Sequence, residues 1–279
     1  MKTLLVPFDF SEESQNALYV AQQLAQKAKS EIILLHVFED LLEQSFSVEG
    51  EMELEGTTFE DIYFLELVRK TKRKLQSLTE NEFGLSIKVK IRLGNIYKQI
   101  SQLIDDEKID LVVMGSRGAS GLEEVLVGSN TEKVVRYAKC PVLTVKNRVE
   151  LSNLKKIVFA SDLIGDQGGI VQELKDLVKL LDVELIIVKI NLFHRWVPDD
   201  DLMKDLSDFA KMKGMTDAKL EVFHDTYLED GIINFAEKEG ADIIALGTHG
   251  RTGLAHIIAG SVAEKMANHA KRLTWTCSY

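Results

Sequence analysis

Leu111-Val112-Val113-Met114-Gly115-Ser116-Arg117-Gly118 and Ile243-Ile244-Ala245-Leu246-Gly247-Thr248-His249-Gly250 are two versions of one pattern. Four apolar residues without polar alternation read as a strand covered on both faces, and a Gly-x2-Gly turn follows at once. Nine residues further on, the copies continue as Gly128-Ser129 and Gly260-Ser261, which open onto helix-like sequence at Asn130-Thr131-Glu132 and Val262-Ala263-Glu264. Glycine permits positive φ and puts no Cβ between main-chain N–H groups and an anion. Ser129 and Ser261 are expected to cap the following helices, where hydroxyl, amide and helix dipole all favour phosphate. One such loop could equally be an ordinary turn. Two copies with identical spacing, with Gly121-Leu122 matched by Gly253-Leu254, indicate that the whole loop conformation is specified.

Outward from these loops, strand-length apolar runs alternate with helix-period segments. The first half predicts strands at Thr3–Val6, Glu31–Val37, Ile87–Ile91 and Leu111–Met114, with helices over 12–28, 58–79 and 95–106. The order begins again with strands at Lys156–Phe159, Glu184–Ile190, Lys219–Phe223 and Ile243–Leu246, and helices over 166–181, 199–213 and 229–239. This rhythm predicts a doubly wound α/β layer, present twice. Asp9 matches Asp162 at an offset of 153, whereas the loop glycines match at 132, which places a 21-residue excess in the first half. The reading puts it between the second strand and second helix, where residues 39–61 hold nine acids and no Lys or Arg. That segment leaves the strand edge at which open α/β sheets bind ligands, so a lid or metal-holding role stands beside that of a solvated loop.

A length of 279 residues suits two domains, drawn here at 1–148 and 153–279. No apolar run is long enough to cross a bilayer and the first residues show no secretory cleavage pattern, so a cytoplasmic protein is expected. Cys140 and Cys277 form no CxxC pair and read as buried strand residues. The net charge of −10 is shared, with 24 acids against 19 bases in residues 1–150 and 20 against 15 thereafter. Neither half carries the clustered basic surface that nucleic acid requires. The basic run Arg69 to Lys74 reads as the solvated face of a helix.

With these residues in place, the chain resembles the universal stress protein family, whose ATP-binding members carry G-x2-G-x9-G-S/T after the fourth strand. Val6-Pro7-Phe8-Asp9 with Ser11 is similar to that family's first-strand ending, and Cys140-Pro141-Val142-Leu143-Thr144-Val145 to its fifth strand. The resemblance implies strand order 3-2-1-4-5 in each domain and ATP at the strand ends, with Mg²⁺ or Mn²⁺. It also implies pairing of the fifth strands, here making an intramolecular pseudo-dimer, and leaves a homodimer open. Carried over by position, Asp9 faces the ribose, Val37 offers backbone to adenine, and Gly115, Gly118, Gly128, Ser129 and Asn130 hold phosphate, with Pro7, Phe8 and Met114 as further nucleotide-binding candidates. Arg117 is added as a charge partner. In the second half the corresponding residues are Asp162, Gly247, Gly250, Gly260, Ser261 and Val262, with His249 as a further phosphate donor. Lys189 is aligned with Val37, its side chain turning outward along the rim. Arg272–Cys277 stands in for the fifth strand.

No catalytic residues are assigned. His194, His224, His249 and His256 show no tight ligand spacing, and no Ser/His/Asp arrangement is legible. The expected function is that of an ATP-binding stress-response module acting through an unidentified protein partner, without efficient turnover. Slow ATPase or self-phosphorylating activity and a nucleotide-free partner-binding module are the alternatives.

Overall fold

The computed structural model describes residues 1–39, 59–79, 84–116, 129–163, 168–248 and 272–278. The first half runs β1 (Thr3–Pro7), α1 (Glu12–Ala28), β2 (Glu31–Phe38), α2 (Phe59–Ser77), β3 (Ile87–Leu93), α3 (Ile96–Glu107), β4 (Leu111–Gly115), α4 (Ser129–Tyr137) and β5 (Val142–Val145). The second runs β6 (Lys156–Ala160), α5 (Gly168–Leu181), β7 (Glu184–Leu192), α6 (Asp199–Met212), β8 (Lys219–Asp225), α7 (Leu228–Glu239), β9 (Ile243–Thr248) and β10 (Leu273–Ser278). No helix among the described residues is long and apolar enough to cross a membrane.

The strands form one sheet in the order β3-β2-β1-β4-β5-β10-β9-β6-β7-β8. Each half is therefore parallel with the expected 3-2-1-4-5 order, and the halves join where β5 meets β10 antiparallel, Leu143 opposite Trp275. Residues Thr3 to Pro7 are all buried, as a strand covered on both faces must be. In α1, Ala17, Leu18, Ala21, Leu24 and Ala25 make the buried stripe, Ser11 Oγ accepts the Ser14 N–H at 3.2 Å, and Lys29 ends the helix in the left-handed region. The repeat extends to details: Asp110 Oδ2 accepts the N–H groups of Lys2 and Thr3, and Asp242 Oδ2 accepts those of Lys155 and Lys156.

One apolar cluster runs across the junction, with Leu4, Leu24, Leu143, Phe159, Leu174 and Trp275 among its members. The opposite face of the first half packs under α3 and α4 through Leu5, Ile33, Ile100, Leu103, Val134 and Val135. The opposite face of the second packs under α7 through Val158, Ile186, Ile232 and Phe235. The connection between halves is fastened to α1, where Asn16 donates to Lys146 O and Gln23 donates to Val149 O while accepting from the Leu151 N–H.

Two expectations are corrected. Cys140 is buried but precedes β5, because Pro141 has no N–H for a ladder and β5 starts only at Val142; Cys277 does lie in a strand. The excess of the first half is shared between a loop and a helix. Residues 39–58 separate β2 from α2 where 193–198 separate β7 from α6, and α2 has 19 residues against 14 in α6.

Candidate functional site

In the first half β1 lies between β2 and β4, while the helices that follow β1 and β4 lie on opposite faces. Chains leaving adjacent strand ends in opposite directions open a crevice there, the usual ligand position in open α/β sheets. Asp9 and Gly115 flank it. In the second half β6 likewise lies between β7 and β9, with Asp162 and Gly247 at the strand ends.

At the end of β1, Pro7 pairs with Leu35, and the Phe8 N–H donates to Leu35 O at 2.7 Å. The Phe8 carbonyl receives His36 Nδ1 at 2.7 Å, so Nδ1 carries the proton. Asp9 Oδ1 accepts both the Ser11 N–H, at 3.0 Å, and the Ser11 hydroxyl, at 2.5 Å, while that same hydroxyl caps α1. The residue after the carboxylate is left-handed in both halves, Phe10 at φ 68° and Leu163 at φ 64°. Bulky residues adopt that conformation at a cost, and its occurrence twice at equivalent positions marks a turn imposed by the site. In the second half Ser161 Oγ accepts the Leu163 N–H at 3.0 Å, a local bond of the kind Asp9 makes in the first.

The strand register corrects the alignment of Lys189. Pro7 pairs with Leu35 and Ala160 with Val188, so Lys189 is the counterpart of His36, and Ile190 is the counterpart of Val37. Both members of that second pair are apolar; Ile190 is buried and Val37 packs beside the α3/α4 cluster. Lys189 does not turn outward. Its Nζ donates to the Asp162 carbonyl at 2.6 Å, and burial pushes its pKa below the ordinary lysine value despite nearby Asp162 and Asp205. His36 and Lys189 thus do equivalent work, each holding a carbonyl of the turn after the first strand.

Around His36 lies an aromatic run that the sequence reading missed. The ring contacts Phe10 at 5.3 Å and Phe38 at 4.8 Å, and Phe38 contacts Phe64 of α2 at 5.7 Å. Lys74 Nζ stands 4.1 Å above Phe10, so one residue of the basic α2 run has an aromatic partner. Alternate positions 8 and 10, then 36 and 38, carried the available signal.

At the end of β4, Met114 is buried in the α3/α4 cluster and Gly115 pairs with Val145. Thr131 of α4 donates its hydroxyl to the Gly115 carbonyl at 3.0 Å, tying helix to strand end. The Ser116 N–H donates to Val145 O, while its buried hydroxyl has no partner among the described residues. Ser129 is the first residue of α4 rather than the capping residue before it. Asn130 donates to Glu39 Oε1 at 3.5 Å, and the Ile96 N–H reaches the same oxygen at 3.3 Å. Gly247 has a packing reason of its own: a Cβ there would stand 3.2 Å from Ile170 Cδ1. Arg117, Gly118, Gly128, His249, Gly250, Gly260, Ser261 and Val262 lie outside the described residues, as does the acidic stretch 40–58. Among the described residues no three His, Cys, Asp or Glu side chains form a metal-binding group. His224 is paired with Asp199 at 2.8 Å.

The model of the universal stress protein family matches residues 1–146 and again 153–273. Universal stress protein MJ0577 of Methanocaldococcus jannaschii is 31% identical over 156 residues, covering 53% of this chain and 96% of the relative. Universal stress protein Slr1230 of Synechocystis is 25% identical and aligns over 95% of this chain and 96% of its own length. Among solved structures, a universal stress protein from Archaeoglobus fulgidus superposes with a TM-score of 0.72 at 23% identity, over 99% of this chain and 96% of that one. The twofold match and the full-length agreement in fold lead to one conclusion: this chain belongs to the universal stress protein family, with two family domains in tandem.

Proposed function

We propose that this chain is an adenine-nucleotide-binding stress protein that takes ATP at the crevice of each half and, through occupancy, changes the surface offered to a protein partner. The observation that supports it most is the repeated rim: a carboxylate followed by a left-handed residue at one strand end, and a glycine at the adjacent strand end. The donor set fits a nucleotide. Backbone N–H groups and hydroxyls, with the buried Ser116 Oγ that has no partner among the described residues, suit phosphate oxygens, and a carboxylate suits ribose hydroxyls. By the sequence pattern Arg117, Gly118, Gly128 and Ser129 complete the first cradle, and His249, Gly250, Gly260 and Ser261 the second. A divalent cation would sit on the phosphates, adding charge neutralisation to a loop with few side-chain cations.

Calorimetric titration of Mg²⁺-ATP into nucleotide-stripped protein tests the reading, with two sites expected. Repeating it with Mn²⁺ and with EDTA tests the metal. Gly128→Val is expected to remove the first site and leave the second. Absence of binding by the stripped wild type would overturn the proposal.

A further inference from the structure

At the carboxyl edge of β7 and β8 the second half exposes aromatic surface that its fold does not use. Phe193 is 62% exposed, Trp196 59% and Tyr227 62%, with Val197 also exposed. Leu192 pairs with Asp225 at the ends of the two strands, so the turns carrying these side chains leave the sheet side by side. The turns are held firmly. Buried Asn191 donates to Val197 O at 2.7 Å and accepts the Val197 N–H at 3.2 Å, and it shares Asp199 Oδ1 with His224. Asp225 accepts the N–H groups of Thr226 and Tyr227 and the side-chain amide of Asn234. Ordered backbone carrying exposed aromatics is the composition of a recognition surface, where Trp and Tyr supply contact area at small entropic cost.

Tyr227 adds an independent sign. It occupies the N-cap of α7 and makes no capping bond, whereas its counterpart Asn95 caps α3 by accepting the Lys98 N–H. A position that favours Asn, Asp or Ser has been given to an exposed aromatic. The surroundings are acidic: Asp199, Asp200 and Asp201 form the first turn of α6, and Glu229 and Asp230 lie in that of α7, against His194 and Arg195 in the turn between β7 and α6.

We propose that Phe193, Trp196, Val197 and Tyr227 form a docking surface for a protein segment that presents an apolar anchor flanked by Lys or Arg. The occupant follows from charge complementarity: the aromatic centre takes the anchor, and the carboxylates of α6 and α7 meet the flanking cations. The same carboxylates oppose an anionic lipid surface.

Selection of phage-displayed random peptides on the immobilised full chain tests this. Enrichment of peptides with an aromatic or aliphatic residue between basic ones is expected. Their binding should weaken at least tenfold in Trp196→Ala and in Tyr227→Asn and decline with added salt. Tyr227→Asn separates recognition from folding, because it supplies the missing cap and should raise the midpoint of thermal unfolding while weakening the peptide. Trp196 also reports directly, since the only other tryptophan, Trp275, is buried, and a blue shift of exposed-Trp emission should accompany binding. The proposal would be overturned by no enrichment, by acidic consensus peptides, by binding indifferent to both substitutions, or by self-association abolished by Trp196→Ala. Preferential binding to phosphatidylglycerol vesicles would likewise replace the protein segment with a membrane.

Discussion

Lys189 and Cys140 are titratable groups held away from their ordinary equilibria by burial, and they bend the alkaline stability profile in opposite directions. Lys189 is pushed below the usual 10.5, so between its folded pKa and 10.5 the unfolded chain binds more protons and stability rises with pH. Lys189→Met loses the bond to the Asp162 carbonyl but also relieves desolvation. We expect a net change at neutral pH within about 1 kcal/mol. The wild type should then gain on the variant as pH climbs toward 10.5, measured by urea unfolding. Burial, reinforced by nearby Cys277, pushes the Cys140 thiol up from 9.0 to about 12. Its contribution is present below pH 9 and lost as pH rises through that interval, so Cys140→Ala should flatten the decline. The same burial predicts that both thiols resist a maleimide in the folded protein and react on denaturation. That Asp9 and Gly115 stand at strand ends was legible in the sequence, whereas the neighbouring of those ends rested on the strand order that the resemblance implied. The partners of Lys189 were not, since a one-residue error in matching β7 to β2 exchanges His36 for Val37 and turns the side chain to the other face of the sheet.

Among the elements, α7 approaches its sheet closely at Gly231. A Cβ at that position would stand 2.7 Å from Ile190 Cγ2 and 2.9 Å from Asp225 Cβ. Alanine normally improves a helix interior over glycine by up to about 1 kcal/mol. The steric conflict outweighs this, because overpacking against an ordered strand typically costs about 1–3 kcal/mol. Gly231→Ala should therefore destabilise by roughly 1–2 kcal/mol, measured by urea unfolding. The first half has Gln99 at the equivalent place in α3, donating to Leu93 O, so its helix is seated differently. Strands and helices of both halves were readable from apolar periodicity, and β10 was expected from its place opposite the first half's fifth strand and its β-favouring residues; Leu273, Trp275 and Cys277 all reach one buried cluster. The helix expected over 58–79 is α2, Phe59–Ser77, so its extent was legible within a turn.

For the molecule as a whole, the junction of β5 and β10 matters most. Trp275 is among the largest fully buried side chains, and it belongs to a cluster that contains residues from both halves. Heat or urea should therefore unfold the two halves in one transition, seen together by far-ultraviolet circular dichroism and tryptophan emission. Trp275→Ala is expected to cost about 3–5 kcal/mol and to separate that transition into two. Tandem organisation was evident from the duplicated loops, and the order of strands from the family resemblance. The pairing of the fifth strands came from the resemblance alone, since no local feature of Cys140–Val145 or Arg272–Cys277 specifies a partner strand, and its antiparallel direction came from the structure.

Because β5 and β10 run in opposite directions, the carboxyl ends of the two parallel sets emerge from opposite borders of the continuous sheet. The polypeptide consequently has two poles. Its strand-end crevices face away from each other, so under the proposed function a ligand taken at one pole leaves the other open. Covalent linkage fixes the ratio of poles at one to one and makes it insensitive to dilution, which separate subunits assembled through the same strands could not guarantee.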